Sequence, residues 1–192
     1  MKYAGFWVRF LAIVIDTALF AVPTLILSYY VYPESAVARA WTIGIENVLM
    51  CAYQVYFLAT TGQTFGKYIA RIRVIVDGAE RVGYHRSVVR NAWYIAGAMG
   101  SISESVALFS VSAIDFARDN EYARAALLMA HRPAWAHIVN TAITAWVVAE
   151  IVCLLKSSQK RSIHDFMAKT VVVYAQSVAQ ADVPAGRALV RP

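Results

Sequence analysis

Residues 10–31 read FLAIVIDTALFAVPTLILSYYV, an apolar run broken by one acid, Asp16, and one proline, Pro23. At about 1.5 Å per residue, such a helix crosses about 30 Å of hydrocarbon. Tyr29, Tyr30 and Tyr32 close it as an aromatic belt, the pattern found at membrane–water interfaces. Pro33-Glu34-Ser35 then reads as a turn. The run is much longer than the core of a cleavable signal, so it is expected to stay as a first spanning helix.

The rest of the chain points the same way. Of its 192 residues 59% are hydrophobic and only 16% are charged, against roughly 45–50% and about 25% in soluble domains. A soluble domain of this size lacks the interior to hide that much apolar surface. Three further runs are expected to span, at about 41–60, 92–114 and 134–155. Trp41 and Trp135 mark the starts of two of them. In the third run, Gly97, Ser101 and Ser105 recur every four residues, a small-residue stripe that lets helices approach closely in lipid and suits a homo-oligomer. Residues 122–130 read as a short interfacial helix.

The segment from Gly62 to Asn91 has a different character. It carries Lys67, Arg71, Arg73, Arg81, Arg86 and Arg90 against only Asp77 and Glu80. Ile69 to Val76 alternates between apolar and basic, which predicts a short strand ending in the Asp77-Gly78 turn. A second β-prone piece, Thr170 to Val173, is a candidate partner for that strand. With both termini inside, fourteen of the eighteen Lys and Arg fall on the inner side, leaving Arg39, Arg118, Arg124 and Arg132 outside. This is the positive-inside arrangement. The fold expected is therefore an all-α polytopic bundle of about four spanning helices with a small cytoplasmic β-prone segment. Residues 175–192 read as a mobile tail.

Several function classes fall away. The formal charge of +6 flanks apolar runs instead of forming an aromatic-studded basic stripe, so nucleic acid is not an expected partner. Cys51 and Cys153 have no CxxC or ligand spacing, and no metal or cofactor is expected. Gly62-Gln63-Thr64-Phe65-Gly66-Lys67 has the wrong spacing for a phosphate loop, and Tyr68 stands where Ser or Thr is needed. His164-Asp165 lacks the further ligands of a metal hydrolase. No nucleophile-and-base set stands out, so the chain is not expected to be an enzyme.

Acids inside apolar runs are costly and mark functional sites by default. Asp16, ten residues into helix one, is placed near the bilayer centre by residue count, with Glu46, Glu104 and Glu150 as further candidates for an ion or proton site. Arg9 shares a helical face with Asp16 but is expected to snorkel to the inner interface and pair there with Asp165. Lys67, Arg71, Arg73, Arg86 and Arg90 are candidates for contact with anionic headgroups. Two readings follow: ion or small-solute transport centred on Asp16, or a non-catalytic accessory subunit of a larger membrane complex, docked through the basic segment.

Three patches carry a resemblance. The first is Tyr3-Ala4-Gly5-Phe6-Trp7 with Arg9 and Asp16. The second is Gly62 to Lys67, with Ile72-Arg73-Val74 and later Arg86, Arg90 and Asn91. The third is Arg161-Ser162-Ile163-His164-Asp165 followed by Lys169-Thr170-Val171-Val172. In order and combination they resemble the RDD family of bacterial membrane proteins, over about residues 3–174. The resemblance implies a small multispan membrane domain of the cytoplasmic membrane, with Arg9, Asp16 and Asp165 as motif residues. It also implies involvement in transport, Na⁺/H⁺ antiport having been attributed to some members.

Overall fold

The computed structural model describes residues 1–31, 36–76, 81–109 and 134–177, with isolated positions 120, 123, 126 and 130. The expected turns at 33–35 and 77–78, the side chain of Glu104, and nearly all of the expected interfacial helix and tail lie outside the described residues.

The chain is mainly helical. Helix α1 spans Phe6–Ile26 and continues as one wide π-type turn, Leu27–Val31. Pro23 lies inside α1, and the carbonyls of Pro23 and Thr24 both accept from the backbone N–H of Leu27, the tightened ending from which the wide turn departs. Helix α2 spans Ala36–Thr61. After a five-residue helix α3, Phe65–Ile69, comes strand β1, Ile72–Ile75. Helix α4 then spans Tyr84–Phe109 and α5 spans Ala134–Lys156. A second five-residue helix, α6 at Ile163–Met167, leads into strand β2, Val171–Tyr174.

Among the described residues, three helices are long and apolar enough to cross a membrane: Phe6–Ile26, Trp41–Thr61 and His137–Lys156. Helix α4 is not among them. It starts at Tyr84, eight residues before the expected 92, and so takes Arg86 and Arg90 into the helix. It packs along α2 more extensively than any other pair of elements meets. Its close-approach glycine is Gly100, where an added Cβ would lie 3.3 Å from Val139 of α5, whereas at Gly97 it would meet open space.

The two strands pair antiparallel, with Val74 opposite Val172 and Ile72 opposite Tyr174. The strand is shorter than the alternation predicts because residues 65–69 wind into α3 instead. The N-terminus joins the same layer: Ala4 N–H donates to the Val172 carbonyl at 2.9 Å, and Tyr3 bridges Val173. Ala4, Ala12, Leu58, Ile72, Val74, Val82 and Val172 are buried together there. One end of the bundle is thus capped by a small packed layer. Most of the long helices' other apolar side chains, from Leu19 and Val22 to Val148 and Val152, point outward. That is the reverse of a soluble domain and is what lipid requires.

The cap has an internal repeat. Thr64-Phe-Gly-Lys-Tyr-Ile-Ala-Arg-Ile-Arg-Val74 and Ser162-Ile-His-Asp-Phe-Met-Ala-Lys-Thr-Val-Val172 align without gaps at an offset of 98 residues. Each runs from a hydroxyl residue at the helix N-cap through five helical residues to an alanine C-cap. Each then turns at a left-handed basic residue, Arg71 at φ 55° and Lys169 at φ 54°, into a strand. The equivalent residues Val74 and Val172 face each other in the sheet, so a local dyad passes between them. A long helix enters each unit, α2 or α5, and another pair, α1 and α4, leaves from the cap.

Candidate functional site

The residues that the sequence singles out meet beneath this cap. Asp165 is fully buried, and five groups point at its two oxygens. Oδ2 accepts from Arg9 Nη1 at 2.6 Å, from the Ser162 backbone N–H at 3.1 Å and from the Ser162 hydroxyl at 3.0 Å. Oδ1 accepts from Arg90 Nη1 and, at 3.5 Å, from the Thr170 hydroxyl. Burial alone would raise the Asp165 pKa, but Arg90, His164 and Arg9 together hold its carboxyl well below the usual range. The expected Arg9–Asp165 contact is present. Arg9 also donates to the Ala4 carbonyl at 3.0 Å and to the Lys160 carbonyl at 2.5 Å, the second tying α1 to the start of the final motif.

Asp16 is also buried and fully engaged. Its Oδ1 accepts from the Tyr53 hydroxyl at 2.8 Å and from the Gly66 backbone N–H at 2.8 Å, and its Oδ2 from the Thr64 hydroxyl at 2.5 Å. Lys67 Nζ lies 3.9 Å from Oδ2 and 3.1 Å from Thr64 Oγ1. Asp16 therefore sits at the N-terminus of α3, where free amides and the helix dipole favour a negative charge. Gly66 is what permits this: a Cβ there would overlap the Ala12 carbonyl oxygen and stand 2.9 Å from Asp16 Cγ. Gly62, at φ +70°, has a similar duty, since a Cβ would lie 2.6 Å from the Val74 carbonyl. Residue count places Asp16 at mid-bilayer, but its partners place it level with the loop that follows α2.

Glu150 forms a third cluster. Its Oε2 meets His164 Nδ1 at 2.8 Å and its Oε1 accepts the His164 backbone N–H at 3.0 Å. Glu150 thus does for α6 what Asp16 does for α3: each carboxylate holds the amide of the second residue of its short helix. His164 Nε2 lies 3.0 Å from Ser162 Oγ. Burial, then Arg90, pushes the His164 pKa below its usual value against the pull of Glu150.

Of the four acids expected to form one site, the three whose side chains are described lie apart. Asp16 and Glu150 lie in separate clusters, Glu46 is half-buried two turns of α2 away from Tyr53, and the Glu104 side chain is outside the described residues. Two of the expected headgroup contacts face inward instead. Lys67 is buried against Asp16, its side chain 15% exposed, and Arg90 is buried against Asp165 and Thr170. Arg71 is exposed and Arg73 and Arg86 half-buried, so these three remain at the surface. Burial drives the Lys67 pKa down to about 8, Asp16 opposing and Arg90 assisting. Tyr53, Thr64, Ser162 and Thr170 are site residues that the sequence reading passed over. The 98-residue repeat was the available signal, since it marks Thr64 and Ser162 as equivalent N-caps. Among the described residues no three His, Cys, Asp or Glu are grouped to hold a metal ion.

Outward-facing apolar helices joined to a buried, charge-paired cap define a helical protein of the membrane type. The chain belongs to the RDD family, whose sequence model matches residues 3–169. No curated protein and no solved structure matches it.

Proposed function

We propose that this protein is a multi-pass component of the bacterial cytoplasmic membrane, with four spanning helices, its cap facing the cytoplasm, and that it moves a cation or small solute by proton-linked exchange. The observation that carries the reading is the position of Lys67. Its ammonium nitrogen lies among hard oxygen donors, 3.1 Å from Thr64 Oγ1 and 3.9 Å from Asp16 Oδ2. Hard cations choose such ligands. The Tyr53 hydroxyl completes a set of carboxylate and hydroxyl oxygens. A monovalent cation and the Lys67 proton would compete for this set. With a pKa of about 8, Lys67 can release its proton as the cation arrives, so one positive charge replaces another. Glu46, seven residues before Tyr53 and so about 10 Å along α2, would be the next acid on the path. One small bundle encloses little volume, which favours a homo-oligomer. The reading gives the protein no catalytic chemistry.

The test is cation-dependent proton movement in proteoliposomes, comparing wild type with Asp16→Asn and Lys67→Met after all three pass a sizing column. A dye response to Na⁺, K⁺ or Li⁺ in wild type alone is the expected result. No response from wild type removes cation exchange.

A second reading, an accessory subunit of a larger membrane complex, is favoured by the same saturation. Asp16, Glu150 and Asp165 each spend their oxygens on holding the cap. Under it, Asp16→Asn leaves partner capture intact in cross-linking pull-downs.

A further inference from the structure

Between α4 and α5 lies a crevice of about 340 Å³, within the roughly 300–1,000 Å³ of ligand pockets. Its walls are apolar: Trp93 and Ala96 from α4, Ala142 and Trp146 from α5. Arg90 and His164 close one end. We propose that this crevice holds one acyl chain of an anionic phospholipid, with the ester and phosphate groups at the Arg90–His164 end.

Four observations lead there, none of them resting on the transport reading. One wall of the crevice is α5, a helix apolar enough to span. Hydrocarbon is the solvent along such a helix, and a lipid chain is the ligand at hand. The repeat explains why this half is open. In the first unit Gly66 lets α3 close onto α1, whereas the equivalent residue of α6 is His164, whose ring stands in the crevice wall. Trp146 Nε1 is buried with no hydrogen-bond partner among the described residues. The Trp146 ring lines the crevice, so a rotation that turns this N–H outward would offer it to a glycerol ester carbonyl. At that end Arg9 and Arg90 are balanced by Asp165 and by Glu150, which is paired with His164, so the preference for an anionic headgroup rests on Arg86. Arg86, one turn before Arg90 on the same face of α4, is placed to meet a phosphate.

The test is native mass spectrometry of the full chain, purified in mild detergent with equal phosphatidylglycerol and phosphatidylcholine. Wild type is expected to retain one phospholipid per chain, with phosphatidylglycerol preferred several-fold. Ala142→Phe fills the crevice and should cut retention at least tenfold, and Arg86→Gln should abolish the preference while keeping the lipid. In a chain whose other tryptophans, Trp7, Trp41 and Trp135, are phenylalanine, phosphatidylglycerol with brominated chains should quench Trp93 and Trp146 fluorescence more deeply than brominated phosphatidylcholine. This second measurement stands even if Ala142→Phe fails to fold. Lipid-free wild type, a lipid-free dimer, equal retention in wild type and Ala142→Phe, or unquenched fluorescence would each overturn the proposal, the dimer by assigning the crevice to a second copy.

Discussion

Asp165→Asn is the sharpest perturbation of the cap. Asparagine keeps the shape but removes the carboxylate that Arg9 and Arg90 share, and its amide presents donors toward a guanidinium. Both arginines are buried, with side chains 10% and 7% exposed. Removing one partner of a buried ion pair costs about 3–5 kcal/mol, because the charge left behind is uncompensated. Arg90→Gln is milder. It leaves Arg9 and Asp165 as a one-to-one pair and loses hydrogen bonds to Asp165 and Thr170, at about 1–3 kcal/mol. Joining the two should be better than Asp165→Asn alone, since one unpaired cation has gone, with a coupling of about 1–3 kcal/mol. The simple charge swap that the Arg9–Asp165 pairing suggests, Arg9→Glu with Asp165→Arg, should not rescue, because the new guanidinium faces Arg90. Equilibrium unfolding of the purified protein in mixed micelles, followed by tryptophan fluorescence, gives all four values. If Asp165→Asn costs under about 1 kcal/mol, or if adding Arg90→Gln makes it worse, the shared carboxylate does not hold the cap.

Gly66→Ala should destabilise by about 1–3 kcal/mol, because its Cβ meets the fixed Ala12 carbonyl, while Gly97→Ala, in open space, should be neutral or mildly stabilising; the same unfolding assay compares them. The folded-state pKa of Lys67 lies below its ordinary value, at about 8 against 10.5, so the folded chain binds fewer protons than the unfolded chain between those values. Stability should therefore climb over that window, by up to about 3 kcal/mol, and Lys67→Met should flatten the climb in unfolding midpoints from pH 7 to 10. His164 is likewise lowered from 6.5, so stability should be lost as pH falls below 6.5, and His164→Gln should remove that loss. For exchange in proteoliposomes, cation-driven proton release should strengthen as pH rises toward 8, where Lys67 gives up its proton.

The helices were legible because length and apolarity suffice to find them: the expected 10–31, 41–60 and 134–155 correspond to α1, α2 and α5 within a few residues. Arg9–Asp165 and the pairing of the two β-prone pieces were legible too, since basic-residue counts place their members on one side. The start of α4 was not. Ser87, Arg90 and Asn91 look like loop residues in sequence, but the fold supplies their partners: Ser87 donates to the Val55 carbonyl of α2, Asn91 to the Ser87 carbonyl of its own helix, and Arg90 reaches Asp165 in the cap. Lys67 and Arg90 misled for the same reason. A lone cation beside a membrane reads as a headgroup ligand until a buried acid is seen to claim it.

The position of Asp16 shows how residue count and environment diverge. Ten residues into a helix is about 15 Å only if the helix enters lipid at its first turn. Here one face of the first turns is sheathed: Arg9 by the final motif, Ala12 and Asp16 by α3. Asp16 is thus spared the hydrocarbon, because three hydrogen-bond donors and an ammonium replace the water it has lost. The same sheath restricts approach. Gly66 sits so close to Ala12 that nothing can pass between α3 and α1 while both stay in place. A cation reaching Asp16 from the capped end must therefore move α3, and what pins α3 is the set of bonds from Asp16 itself. The second unit has no such seal, since His164 replaces Gly66 and Asp165 replaces Lys67. Two copies of one backbone unit are thus divided by two side chains into a closed, charge-paired half and an open half with an apolar crevice.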